Sequence, residues 1–218
     1  MATAIIGVGN IGSALARNLV QGREPVVLAN RDKSKAVELA GQLGDLAGSA
    51  EIGDAISEAD VVVLALYLDV MKSMIPQYSE QLAGKIVVDP SNPVGPDGKG
   101  GMMKTIPEDE SSGQIVAGLL PEGARFVKAF GTLSLASLTG GAHRTPERAV
   151  QFYATDDNDA GDAVARLITA DGFDPVKAGG ADQSIRLEVG GDLNEYGGLN
   201  GKLVTVAEAE ALTGVEAR

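Results

Sequence analysis

Three glycines near the start of the chain, Gly7, Gly9 and Gly12, stand in a G-x-G-x-x-G spacing within "IIGVGNIGSALARN". That spacing suits a loop that cradles a pyrophosphate. The first glycine permits a tight turn, the second lets the backbone approach the phosphates, and the third lets a helix pack on its strand. The amides of Asn10 and Ile11 would then meet the negative charge at a helix N-terminus. Glycine is common here, 29 of 218 residues, so the same spacing also fits a bare strand-to-helix turn. The context favours the phosphate reading: an apolar strand, "TAIIGVG", precedes the loop, and Ile11, Leu15 and Leu19 follow at helical spacing.

A second cluster lies about twenty residues on, where a dinucleotide site reads the adenine ribose. An acidic residue there accepts from a ribose 2′-hydroxyl, whereas cations there hold a 2′-phosphate. The strand "PVVLAN" ends in Asn30, followed by Arg31, with Lys35 one helical turn further. Arg31 can bond phosphate and stack on adenine, and Asn30 can donate through its amide. Asp32 lies about where the acidic residue is expected. Two residues beyond the strand, and opening "DKSKAVELAGQLG", it reads instead as a helix N-cap. NADP over NAD is the expectation. A third set of positions closes later strands: "LALYLD" at 64–69, "DPSNPV" at 89–94 and "KAFGTLS" at 128–134. There Asn92 can bond a carboxamide or a ribose, and Pro93 fixes the loop.

Composition narrows the field. A net charge of −12 argues against nucleic acid or an anionic membrane surface as partner. Against that background the cations Arg31, Lys33 and Lys35 stand out. No cysteine means no disulfide, iron–sulfur cluster or thiol catalysis, and the single histidine, His143, excludes a His-rich metal site. No metal is expected. His143, in "GGAHRTP", reads as a loop residue rather than a catalytic acid. No apolar run approaches a membrane span, and the apolar start lacks a basic flank, so a cytoplasmic protein is expected.

The elements that must position these residues alternate. Strands at "TAIIGVG", "PVVLAN", "VVVLALY" and "KIVVDPSNPVG" are separated by helices at "NIGSALARNLVQG", "DKSKAVELAGQLG", "GSAEIGDAISEAD" and "LDVMKSMIPQYSEQLAG", the last interrupted at Pro76. Such alternation predicts a parallel, doubly wound α/β sheet with the glycine stretch as its first βα turn. From residue 95 a polar, glycine-rich loop leads to a helix at "SSGQIVAGLLP" and a further strand at "RFVKAFGTLS". Beyond it "AVQFYATD" and "DPVKAG" read as strands around a helix, and a glycine-rich "VGGDLNEYGGLNG" precedes a final helix. The division expected is a dinucleotide-binding domain over 1–141 and a small C-terminal subdomain over 142–218.

The segments "GVGNIGSALA", "NRDKSKA", "ADVVVLAL", "VVDPSNPV" and "VKAFGTLS", in this order and spacing, resemble the NADPH-dependent F420 reductase family, which includes the cytosolic domain of the STEAP metalloreductases. The resemblance covers roughly residues 3–135 well and the rest in general layout. It implies a mostly parallel Rossmann domain with a small C-terminal α/β subdomain. It also implies direct hydride transfer between NADP(H) and a deazaflavin, F420, or a flavin, and a homodimer. Carried over by position, Val8, Gly9, Asn10 and Ile11 would hold the pyrophosphate. Asn30, Arg31 and Lys35 would hold the 2′-phosphate, and Leu66, Leu68, Asn92 and Thr132 would line the nicotinamide end. One departure is Gly131, where many relatives carry an Asn. Its loss removes a donor beside the nicotinamide or makes room for the acceptor.

Hydride transfer between two rings needs stacking and distance control and little acid–base chemistry, which suits a chain this poor in catalytic groups. Tyr67 and Tyr196 are candidates to touch the second cofactor. Two other readings stay open. Reduction of a small C=N or C=O substrate would need a proton donor from the tyrosines, Lys128 or His143. A non-enzymatic NADP sensor would need none.

Overall fold

The computed structural model describes residues 1–99 and 101–214. Its first half runs β1 (Thr3–Ile6), α1 (Asn10–Gln21), β2 (Val26–Ala29), α2 (Lys33–Leu43), β3 (Ala47–Ser49), α3 (Ile52–Glu58) and β4 (Val61–Leu64). Then follow α4 (Leu68–Gln77), α5 (Ser79–Leu82), β5 (Ile86–Asp89), a hairpin of β6 (Val94–Pro96) and β7 (Met102–Lys104), α6 (Ser112–Leu119) and β8 (Arg125–Lys128). The remainder comprises α7 (Leu135–Gly140), β9 (Val150–Ala154), α8 (Asn158–Ala170), β10 (Asp174–Gly179), a 3-10 turn at Ala181–Gln183, α9 (Ser184–Leu187) and α10 (Val206–Thr213).

Eight strands form one sheet in the order β10-β9-β8-β5-β4-β1-β2-β3. From β3 to β8 every pairing is parallel, in the doubly wound order whose direction reverses between β1 and β4. Residues beyond 141 extend this same sheet. β9 lies antiparallel to β8, with Ala154 opposite Lys128, and β10 runs parallel to β9.

Short strands covered on both faces explain the apolar runs. Ile5, Val61, Val63, Val88 and Val127 pack on one face against Leu15 and Leu19 of α1 and Val164 and Leu167 of α8. Ile6, Val62, Leu64 and Val87 pack on the other against Ile56, Met71, Ile75 and Val116. Period-two alternation thus sends neighbours to opposite cores. A third cluster joins Phe152, Val176, Leu193 and Leu199 beneath the C-terminal segment.

Several elements depart from the sequence expectation, each for a local reason. The strand expected at "RFVKAFGTLS" stops at Lys128, because Phe130 takes a left-handed φ of 64° that no ladder accommodates. Residues 135–140 then form α7. Pro76 does not break α4, since the carbonyl it leaves without a donor, on Lys72, lies on the exposed face. The break falls at Tyr78, at φ −110° and ψ 24°. The loop after β5 folds into the β6–β7 hairpin, and β3 pairs with β2, although Ala47–Ser49 has no strand-like composition.

A buried ionic cluster joins the strand ends to the C-terminal segment. The Lys128 ammonium, 1% exposed, lies 2.7 Å from Asp89 Oδ2 and 3.4 Å from Glu188 Oε1. It also donates to Ser91 O at 2.7 Å and Ser112 Oγ at 3.1 Å. Glu188 in turn accepts from the hydroxyls of Ser111 and Ser112 and from the amides of Ser112 and Gly113, at the N-terminus of α6. Buried charges persist when paired and hydrogen-bonded on all sides, and this cluster meets that condition.

Asp171, at the end of α8, is fully buried with Gln151 Nε2 donating to its Oδ2 at 2.7 Å. Its Oδ1 and the Gln151 Oε1 have no partner. Burial holds this carboxyl well above the usual carboxylate range, outweighing the hydrogen bond from Gln151.

Two outcomes are expected. Lys128→Met strands Asp89 and Glu188 without a counter-charge and lowers the unfolding free energy in urea by about 3–5 kcal/mol. At Asp171 the folded state holds a proton that the unfolded state has released. Stability is therefore fullest below the unfolded carboxylate range and falls as pH rises toward the folded value. Asp171→Asn removes that loss, so its melting temperature exceeds the parent's at about pH 8 and the gap closes near about pH 4.

Candidate dinucleotide-binding site

The glycine loop sits at the end of β1, beside the point where the strand order reverses. Gly7 donates to Ala29 O at 2.8 Å and turns at φ 100°; a β-carbon there would collide with the Ala65 carbonyl. Gly12, inside α1, lies so close to Gly7 that a β-carbon would strike the Gly7 carbonyl. Gly9 is the reverse case. Its missing β-carbon faces open space, with no atom within 4 Å. The loop therefore closes on its strand through Gly7 and Gly12 and leaves backbone open at Gly9.

Gly9 is also the N-cap of α1, with no capping side chain and no acid in the first turn. The amides of Asn10 and Ile11 thus stand at the positive end of a 12-residue helix, with no side-chain acceptor at that end. The loop is braced from within, as Ser13 Oγ donates to Val8 O at 2.9 Å.

Past β2, Asn30 ties two loops together. Its Oδ1 accepts from Val8 N at 3.4 Å, and its Nδ2 donates to Asp32 O at 3.0 Å. Asp32 caps α2, accepting from Ser34 N at 3.2 Å and Ser34 Oγ at 2.6 Å. The Ser34 hydroxyl and amide, with Lys35 nearby, hold its carboxyl below the usual range. The acid is thus turned back on its own helix. Lys33 is spent on Glu51 at 2.6 Å. Arg31 and Lys35 are exposed, and neither makes an ion pair among the described residues.

The later strand ends differ from the expected lining. Leu66 is half-buried beside Gly7, but Leu68 is 6% exposed and belongs to the core; Tyr67, between them, is 79% exposed. Asn92 is engaged within the fold, since its Nδ2 donates to Gly131 O at 2.9 Å and its Oδ1 accepts from Val189 N at 2.7 Å. Pro93 is buried, and its carbonyl accepts from Thr105 N. Thr132 is wholly buried, with its Oγ1 unpartnered. A β-carbon on Gly131 would lie 2.8 Å from Pro90 O, so the backbone has closed where a side chain would stand.

The two non-tyrosine proton donors considered above are both engaged. Lys128 is inside the ionic cluster. His143 is half-buried, with its Nε2 3.1 Å from Asn18 O, toward the end of α1 away from the glycine loop. Sequence reasoning missed Glu188, Asn194 and Glu195, which the fold brings to the end of β8. The available signal was Lys128 itself, a lone ammonium between Val127 and Ala129 that called for a buried partner.

Residues 2–93 match the model of the family described as NADP oxidoreductase, coenzyme F420-dependent. The F420-dependent NADP reductase of Methanothermobacter thermautotrophicus is 27% identical over 199 residues, spanning 86% of this chain and 85% of that protein. The crystal structure of a hypothetical protein from Sinorhizobium meliloti is 33% identical, with a TM-score of 0.79 over 89% of this chain and 93% of the other. A putative F420-dependent NADP-reductase from Arthrobacter sp. FB24 shares the fold, with a TM-score of 0.73 at 22% identity over 85% and 87% of the two chains. Through residues 2–93 the chain thus matches the F420-dependent NADP oxidoreductase family, and it is similar to an F420-dependent NADP reductase over 85% of that protein's length.

Proposed function

We propose that this protein, an NADP-dependent oxidoreductase of the F420 reductase family, passes hydride directly between NADP(H) and a deazaflavin or flavin ring. The observation that carries the NADP half is at the end of β2. Among the described residues Arg31 and Lys35 are left without ion-pair partners, while Asp32, the acid placed to accept from a ribose hydroxyl, is consumed as the cap of α2. A dianionic 2′-phosphate is the partner these cations lack. The open backbone at Gly9 and the uncapped amides of Asn10 and Ile11 fit a pyrophosphate by the same logic.

NADP(H) supplies the nicotinamide that gives or takes the hydride. The chain's part is to bind, orient and exclude water. Val8, Gly9, Asn10 and Ile11 hold the pyrophosphate, and Asn30, Arg31 and Lys35 the 2′-phosphate. Leu66, with Tyr67, borders the path toward β5 and β8. The burial of Leu68 and Thr132 and the engagement of Asn92 leave that end framed by backbone more than by side chains.

Ring-to-ring hydride transfer is favoured over reduction of a small C=N or C=O compound by the state of the two non-tyrosine donors, which leaves such a reduction only the exposed hydroxyls of Tyr67 and Tyr196. Lys128 is enclosed by Asp89 and Glu188, and His143 is bound at Asn18. A reaction that asks for no protein acid fits such a site.

Two measurements test this reading. Arg31→Ala raises the dissociation constant for NADPH by about tenfold or more while NADH changes by less than about twofold, the loss expected of a charged hydrogen bond to phosphate. Equal losses for the two would remove the 2′-phosphate assignment. Anaerobic NADPH oxidation with F420, FMN and FAD offered side by side proceeds with at least one of the three. No turnover with any would refute ring-to-ring transfer.

A further inference from the structure

After β8 ends at Lys128 the chain enters no ladder until α7 begins at Leu135. Within that span Phe130 is buried at φ 64°, and Thr132 is buried with an unpartnered hydroxyl. Such a path persists only where its surroundings over-determine it. Most of the ties that do so come from one distant segment.

Asn194 Nδ2 donates to Gly131 O at 3.1 Å and to Leu187 O at 2.9 Å. Glu195 N donates to Thr132 O at 2.9 Å. The Glu195 carboxylate accepts from Ser134 N at 2.6 Å, Ser134 Oγ at 3.1 Å and Ser137 Oγ at 2.8 Å, at the start of α7. Both side chains are buried. Asn194 Oδ1 also accepts from Tyr196 N at 2.9 Å, so the residue that grips Gly131 sets the backbone of a tyrosine that is 67% exposed. Upstream, Glu188 anchors this segment in the ionic cluster with Lys128.

We propose that Asn194 and Glu195 are positioning residues for the hydride acceptor, fixing the Gly131–Ser134 backbone and the backbone of Tyr196 beyond the end of β8. This rests on the ring-to-ring reading above. The clamp acts selectively because of the strand order. β5 and β4 separate β8 from β1, and among the described residues no hydrogen bond joins the segment to the glycine loop or to the basic loop past β2. Disturbing it therefore bears on the end where nicotinamide and acceptor meet and leaves in place the phosphate contacts that carry most of the NADPH affinity.

The test is Asn194→Asp. It keeps the size of the side chain and the acceptor for Tyr196 N, but turns an oxygen toward the carbonyls of Gly131 and Leu187. The acceptor KM rises by about tenfold while the NADPH dissociation constant, read from nucleotide fluorescence, stays within about twofold. Hydrogen exchange of amides in residues 131–137 quickens by about tenfold, and that in residues 5–20 is unchanged. An unchanged acceptor KM, an equal loss of NADPH affinity, or unaltered exchange in 131–137 overturns the proposal. If the wild-type protein reduces none of the ring acceptors, the preceding reading fails by itself. The exchange pattern then decides the clamp: quickening confined to 131–137 supports it and unaltered exchange overturns it. Glu195→Gln, which retains an acceptor oxygen for Ser134, gives the same pattern at smaller amplitude and serves if Asn194→Asp does not fold.

Discussion

An ammonium at 1% exposure tolerates nothing short of full pairing, and Lys128 draws its partners from four parts of the chain. Asp89 comes from β5, Ser91 from the turn beyond it, Ser112 from α6, and Glu188 from the segment after α9. Two carboxylates against one ammonium leave an excess negative charge. The N-terminus of α6 meets it with two amides and two serine hydroxyls on Glu188. Desolvation makes each of these groups intolerant of a missing partner, so the four parts are held in one arrangement. The floor of the cleft and the C-terminal segment depend on it.

A second constraint acts at the opposite side of the cleft. The chain carries a net charge of −12, yet the positive end of α1 and the cations Arg31 and Lys35 gather around the C-terminal ends of β1 and β2. Of the neighbouring acids, Asp32 is turned back onto Ser34 and Glu51 is paired with Lys33. On an acidic protein such a local gathering of donors suits a small anion. The two ends of the cleft are thus built differently. One end offers unsatisfied donors, and the other is closed by donors already satisfied within the fold.

Gly131 shows how these constraints meet. Its carbonyl takes the amides of both Asn92 and Asn194, and its α-carbon approaches Pro90 O too closely for any side chain. The residue is small because backbone from β5 and side chains from the C-terminal segment converge on it. A glycine that reads as a missing functional group in the sequence is, in the fold, a packing requirement.

The sequence by itself determined the parallel doubly wound sheet, the roles of Gly7 and Gly12, and Asp32 as a helix cap. These are local matters: period-two burial, a turn at positive φ, and an acid two residues beyond a strand bond only to near neighbours. It also marked Arg31 and Lys35, because unlike charges on an acidic background need no fold to be noticed. Tertiary structure alone decided that Leu68 enters the core, that Asn92 is spent on Gly131 and Val189, and that Lys128 is an ion-pair centre. It alone brought Glu188, Asn194 and Glu195 to the end of β8, across more than fifty residues of chain. Side-chain hydrogen bonds between distant segments leave no periodicity and no spacing. Such partners become visible only when the sheet has placed them within 3 Å or so of one another.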